Sequence, residues 1–248
     1  LCKKLTRLDV AIDAYRTDIL EVRERGVGAS MTNLGYRLAM LVAGALSLIL
    51  AGEIGWRYTY LIMAALIMVG ILVTLKSPSP TEAQGAPRNL HDAVVEPFRD
   101  FWSRKNAMAL LVFMLIYKIC DAFALSLNTT FLIRGMGFSL LDVGSITKVV
   151  GLAGALLGSI VGGLWMRRLG MYRSLMVFGI LQMTSNLSFV VLALVGKSYP
   201  VMSASIFLDY FCGGLSSVAI IVFLMSLCNH RYTATQYALF SAVTALGR

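Results

Sequence analysis

Tyr117-Lys118-Ile119-Cys120-Asp121-Ala122-Phe123-Ala124-Leu125-Ser126-Leu127-Asn128-Thr129-Thr130-Phe131-Leu132-Ile133-Arg134-Gly135-Met136-Gly137-Phe138 decides how this chain is read. The stretch lies in a long apolar segment that begins near Ala107, yet it carries a lysine, an aspartate, an asparagine and two threonines. Helical rise places Lys118 roughly 16 Å into that segment, near the middle of a hydrocarbon layer about 30 Å thick. An ionisable group at that depth costs at least about 2.5 kcal/mol, so it faces protein or a wet cavity. Asp121 follows on the same helix face. Two readings are open: the pair neutralises itself so that the helix can insert, or it faces a polar pathway that Asn128, Thr129 and Thr130 extend.

Working outward, the composition sets the class. The chain is 58% hydrophobic and 14% charged, far from the roughly 25% charged residues of a soluble domain. It is expected to be an all-α membrane protein, with six full spans and parts of two more at about 20 residues per crossing. The net charge of +9 is spread over short loops and forms no nucleic-acid patch. The cysteines have no metal-ligand spacing, and the two histidines fall in segments read as loops. No metal, nucleotide or other cofactor is expected, and motifs of intramembrane or soluble hydrolases are absent, so the chain does not read as an enzyme.

Tyr117-Lys118, Asp121-Ala122-Phe123-Ala124 and Thr129-Thr130-Phe131-Leu132-Ile133-Arg134-Gly135 run in the order found in the seventh span of the AmpG-type muropeptide permeases, which this stretch resembles. Those are major facilitator transporters. The resemblance runs from Asp9 to Arg248 and implies the end of span four through the start of span eleven, so both ends of the chain are expected to be cuts through a larger protein. Residues 1 to 8, with three cations in five positions, fit it least.

In chain order, Asp9-Val10-Ala11-Ile12-Asp13-Ala14-Tyr15-Arg16-Thr17-Asp18 resembles the family's exit from span four. Asp13, Arg16 and Asp18 are read either as a solvated surface or as a cytoplasmic gate whose pairs break as the two halves rock. Residues 28–50 form the next span, with Asn33, Tyr36 and Arg37 on neighbouring faces. Arg37 is a candidate for binding a carboxylate-bearing ligand. Gly55-Trp56-Arg57-Tyr58 reads as a short turn before an apolar packing span, 58–75. The Pro- and Ser-rich residues 76–106 read as a linker with a short amphipathic helix over 93–102. Residues 140–166 return across the membrane, carrying Lys148 and a stripe of Gly151, Gly154, Gly158, Gly162 and Gly163 that reads as close helix packing. Lys148 either snorkels to the surface or binds substrate, as the family's lysine at this place implies. In Gly163-Leu164-Trp165-Met166-Arg167-Arg168-Leu169-Gly170, Arg167 stands where the resembling loop motif has an aspartate. Spans 172–195 and 201–227 follow. Asp209 in the second is about 12 Å deep; it is read as a proton carrier or as the structural partner of Lys118 or Lys148. The family has a glutamate there.

Arg16, Arg23, Arg25, Lys76, Arg88, Arg99, Arg104, Lys105, Arg167, Arg168, Arg173 and Arg231 fall on one side of this topology, and Arg57, Arg134 and Lys197 on the other. That bias makes the first side cytoplasmic. The reading is therefore a major facilitator fold: the end of an N-terminal half (1–75), a cytoplasmic linker (76–106) and most of a C-terminal half (107–248). What the resemblance implies is proton-coupled import of anhydro-muropeptides across the bacterial inner membrane for cell-wall recycling. Arg37, Lys118, Lys148 and Asn128 would hold substrate, Asp209 and Asp121 would couple protons, and Asp13, Arg16 and Asp18 would form the gate. The expected partners are the small-molecule cargo, protons and membrane lipid, with a monomeric full-length protein and no nucleic acid. Another anionic cargo, such as an acetyl-coenzyme or a sugar phosphate, and a non-functional permease fragment are the alternatives.

Overall fold

A computed structural model describes residues 2–78, 90–229 and 231–245. Within them the regular structure is helical: α1 (Cys2–Ile19), α2 (Arg25–Leu41), α3 (Ser47–Lys76), α4 (Leu90–Trp102), α5 (Ala107–Thr130), α6 (Leu140–Ile146), α7 (Leu152–Leu169), α8 (Met171–Ser185), α9 (Leu187–Val195), α10 (Tyr199–Leu227) and α11 (Thr233–Ala245). Helix is what this composition requires, because hydrocarbon offers the backbone no hydrogen-bond partners. Single π turns, Val42–Leu46, Phe131–Gly135 and Thr147–Gly151, join α2 to α3, extend α5 and join α6 to α7.

Five helical runs are long and apolar enough to cross a membrane: Arg25–Lys76, Ala107–Gly135, Leu140–Leu169, Met171–Val195 and Tyr199–Leu227. The first is 52 residues long, about 78 Å if straight and far more than one bilayer. It is not straight. Gly55 has φ 80° and ψ 160°, nearly the geometry with which Gly170 turns α7 into α8. A side chain resists that φ, so glycine makes the turn. The Tyr15 hydroxyl donates to the Pro78 carbonyl at 3.0 Å, which brings the end of α3 back beside α1. The run is thus two crossings, which makes six among the described residues, the number of full spans that the sequence predicts.

The chain's two ends differ in charge. At one, the α1–α2 loop, the α7–α8 turn, α4 and the α10–α11 loop gather arginines. At the other, Lys197 Nζ donates to the Gly137 carbonyl at 2.6 Å and Tyr199 donates to Asp142 at 2.9 Å.

The core sits on α7 and α10. Gly154, Gly158 and Gly162, one turn apart, let the two backbones approach until a Cβ on Gly154 would lie 2.7 Å from the Phe207 carbonyl oxygen, and one on Gly158 would overlap that of Phe211. Gly214 returns the contact: a Cβ there would lie 2.6 Å from the Ala155 carbonyl oxygen. Without a hydrophobic drive between helices in lipid, such close approach is what associates them. α3 contrasts with this pair: Leu61, Leu66, Ile67, Ile71, Leu72 and Leu75 are all exposed.

α4 begins at Leu90, three residues before the predicted start, so His91 belongs to its first turn and not to a loop. The helix clips the basic end together. Phe101 is fully buried and meets Phe240 edge-on at 5.1 Å. Asp100 accepts from Arg104 at 2.7 Å, from Gln236 at 2.8 Å and from Asn229 at 3.2 Å. Arg104 also donates to the Leu227 carbonyl at 2.6 Å, capping α10 with a cation where the helix dipole is negative. Burial works against the Asp100 charge, but the bonds from Gln236, Arg104 and Asn229 outweigh it and hold the carboxyl below its usual range. Beside the clip, burial pushes the Cys228 thiol up to about 12, which leaves it inert.

Candidate functional site

A cavity of about 600 Å³ lies between α1, α2, α10 and α11. Asn33, Tyr36 and Arg37 reach it because positions three and four apart share a helix face. α10 supplies an apolar wall of Ile220, Ile221 and Leu224. The Arg37 Nε is buried and has no hydrogen-bond partner among the described residues. Tyr210 on α10 is within electrostatic reach of the guanidinium.

At its basic end the cavity is closed. Arg16, only 9% exposed, donates through Nη2 to Asp13 at 2.8 Å and to the Tyr237 hydroxyl at 2.7 Å. Its guanidinium also lies 5.5 Å from the centre of the Tyr237 ring. Two residues on, Asp18 accepts from the Thr233 hydroxyl at 2.7 Å. Charge-assisted bonds of this kind contribute about 1.5–3 kcal/mol each, and both tie α1 to α11.

A second contact runs alongside. Ser159, fully buried on α7, accepts from Asn33 Nδ2 at 2.7 Å through its hydroxyl and from the Ser30 hydroxyl at 2.7 Å through its carbonyl. Close approach makes this possible: a Cβ on Gly163 would lie 2.6 Å from that of Ser30.

Asp209 is 5% exposed and lies elsewhere. It accepts from Gln182 Nε2 at 3.1 Å and from the Ser185 hydroxyl at 3.5 Å, both on α8. A rotation of 100° per residue separates it from Tyr210, which turns to Gly151 and Arg37. Near Asp209, a smaller pocket of about 300 Å³ lies between α5, α8 and α10, with Tyr117, Gln182, Asn186 and Ser216 in its wall. The Tyr117 and Ser216 hydroxyls meet there at 2.5 Å.

Asp13, Arg16 and Arg37 therefore share one cavity, with Asp18 beside its closed end. Lys148 is exposed on the Thr147–Gly151 π turn, one helical turn from the glycine that packs on Tyr210. Asn128 is half-buried, its Nδ2 without a partner among the described residues. The side chains of Lys118 and Asp121 lie outside the described residues, although their backbone belongs to α5. Tyr237, Tyr210 and Ser159 were not singled out by the sequence. A tyrosine beside Asp209 was the one available signal.

With this geometry in place, the comparison with known proteins is informative. The model of the Major Facilitator Superfamily matches residues 8–248. The chain belongs to that superfamily. Among its superfamily relatives, it is 46% identical over 241 residues to the anhydromuropeptide permease of Escherichia coli (strain K12), covering 97% of this chain and 49% of that protein. It is also 35% identical over 251 residues to an uncharacterized protein of Haemophilus influenzae, covering 96% and 59%. It is 29% identical over 246 residues to the putative transporter AmpG 4 of Rickettsia conorii, covering 96% and 59%. The chain spans about half the length of the permease it matches at 46% identity.

Proposed function

We propose that this chain is part of a secondary transporter that imports anhydro-muropeptides across the bacterial inner membrane together with protons. The observation that carries this reading is the cavity between α1, α2, α10 and α11, which has an arginine in its wall and one end shut by Arg16 and Tyr237. The 46% identity to a protein named for that cargo supports it. A muropeptide bears carboxylates, and a guanidinium fork binds a carboxylate through two parallel N–H···O bonds. This role falls to Arg37, which lines the cavity, with Lys148, Asn128 and Lys118 completing the proposed substrate set. π turns are frequent at functional sites, and the three among the described residues lie on the spans that carry Arg37, Asn128 and Lys148.

The arginine-rich end is cytoplasmic by the positive-inside rule. Residues 1–75 and 107–248 then act as parts of two rocking halves joined by the linker at 76–106. Asp13, Arg16 and Asp18 form the cytoplasmic gate, a reading that the bonds from Arg16 to Tyr237 and from Thr233 to Asp18 support. Asp209 and Asp121 carry the proton. Since Asp209 faces α8, its protonation acts on the cargo cavity through the rotation of α10, whose next residue, Tyr210, lies near Arg37.

The test is uptake by the full-length protein in proteoliposomes with an imposed pH gradient. Arg37→Gln is expected to lower uptake at least tenfold, and Asp209→Asn to abolish accumulation against a gradient. Unchanged accumulation by Asp209→Asn would sink the proton assignment. The alternative cargo, another anionic metabolite, is distinguished by competition: unlabelled anhydro-muropeptide suppresses uptake on the first reading, and acetyl-coenzyme A or a sugar phosphate does so on the second.

A further inference from the structure

A pocket of about 520 Å³ opens at the basic end, separate from the cargo cavity. It lies where the α1–α2 loop and the first turn of α2 meet the end of α7, the start of α8 and the last turns of α10. Arg23, Arg25 and Arg167 line it over an apolar floor that includes Met166, Met171 and Val222. None of the three arginines forms an ion pair among the described residues. Glu21 and Glu24, the nearest carboxylates in sequence, are exposed. The Arg25 Nε is buried without a hydrogen-bond partner. α8 starts at the pocket's edge from Gly170, with no side-chain cap, so its first amides have no intrahelical acceptor.

Three unpaired guanidinium groups and an uncapped helix N-terminus add fields of one sign over a low-dielectric floor. Such a place is stabilised by an anion that accepts many N–H bonds, and tetrahedral phosphate suits the guanidinium fork. The apolar floor selects a phosphate ester with an apolar or organic substituent over a small inorganic anion. Basic pockets between helices at the cytoplasmic surface hold lipid headgroups in this way. We propose that this pocket binds a phosphate ester, held by Arg23 and Arg25 on one side and by Arg167 on the other. Arg167 is one of the two arginines that follow Met166, so the departure from the aspartate of the resembling loop becomes a binding feature. The ligand joins α2 to α7 at the membrane surface, next to the Gly26 and Met166 contact. The site is independent of the cargo assignment.

The phosphate has two possible carriers, an anionic phospholipid or a soluble organic phosphate, and one experiment separates them. The full-length protein in detergent is titrated with phosphatidylglycerol and, separately, with phosphatidylcholine, and retained lipid is counted by intact-complex mass spectrometry. Wild-type protein is expected to retain phosphatidylglycerol at least tenfold more tightly than the triple variant Arg23→Gln/Arg25→Gln/Arg167→Gln, while Arg134→Gln at the opposite end leaves retention unchanged. Displacement by millimolar glycerol 3-phosphate assigns the site to a soluble ester, and persistence of the lipid assigns it to the bilayer. Equal retention by wild type and the triple variant overturns the proposal. A photoactivatable phosphatidylglycerol analogue needs no variant: labelling within residues 22–26 or 163–171 supports the site, and labelling confined to other segments overturns it.

Discussion

Between α2 and α7 the N-terminal and C-terminal helices meet where side chains are missing; between α1 and α11 they meet through charged ones. The first contact depends on Gly163 and Gly26, whose lack of a Cβ lets Ser30, Asn33 and Ser159 bond at 2.7 Å. The second depends on the Arg16 guanidinium, shared by Asp13 and Tyr237. Shape holds one and charge the other. A contact of shape opens only when backbones separate, whereas a contact of charge opens when a proton, a solvent molecule or a competing ion takes one partner. The α1–α11 contact is thus the releasable one.

The largest break should come from shape. Gly163→Leu places a branched side chain against Ser30 Cβ and the Gly26 carbonyl, which lies 3.0 Å from a Cβ there. Overpacking of this kind costs about 3 kcal/mol at the upper end of its usual range, and thermal unfolding in detergent should show the loss at every pH tested. An unchanged midpoint would mean that α2 and α7 are not pressed together. Arg16→Gln should have a smaller effect of about 2 kcal/mol, the magnitude of a charge-assisted bond, confined to the basic end. Hydrogen exchange of the α11 amides over 233–240 should accelerate by about thirtyfold, while those of α7 do not change. Acceleration in both helices would show that the two contacts are one cooperative unit.

The smallest effect is expected from acid. Asp100 has its carboxyl held below the usual range, so its contribution to stability is complete above the unfolded carboxylate value of about 3.9 and is lost as pH falls through the lower folded value. The unfolding midpoint should fall over that acid window in wild type, and Asp100→Asn should flatten the fall. Gly163→Leu should parallel wild type, since no titrating group lies in its contact.

What the sequence revealed and what it hid divide along the same physical line. Depth was legible. Hydropathy and helical rise located the six crossings of the described residues, the turn at Gly55 and the amphipathic character of α4, with ends within three residues except that of the first span, read at 50 and running on to the turn at Gly55. The glycine stripe on α7 announced close packing correctly, because small residues at helical spacing have few other uses in a membrane. Rotation about each helix axis was not legible. α10 is apolar nearly all round, and a helix without a distinct polar face gives no azimuth. For Asp209 the sequence offered Lys118 or Lys148 as partners from depth alone, and it gave no sign of the bonds from Gln182 and Ser185 or of its neighbour Tyr210 turning to Arg37. The partner of Arg16 on α11, Tyr237, is 221 residues away, beyond the reach of any local pattern.

The clip at α4 also has a place in time. Asp100 is held by Gln236, 136 residues further along the chain, so at about 5–20 residues per second the ribosome delivers that partner roughly 7–27 s later. Throughout that interval the Phe101 ring has no Phe240 to cover it. Biogenesis of this protein therefore includes a stage in which all six crossings of the described residues can already be in the bilayer while α4 waits at the surface, undocked, for α11 to be translated.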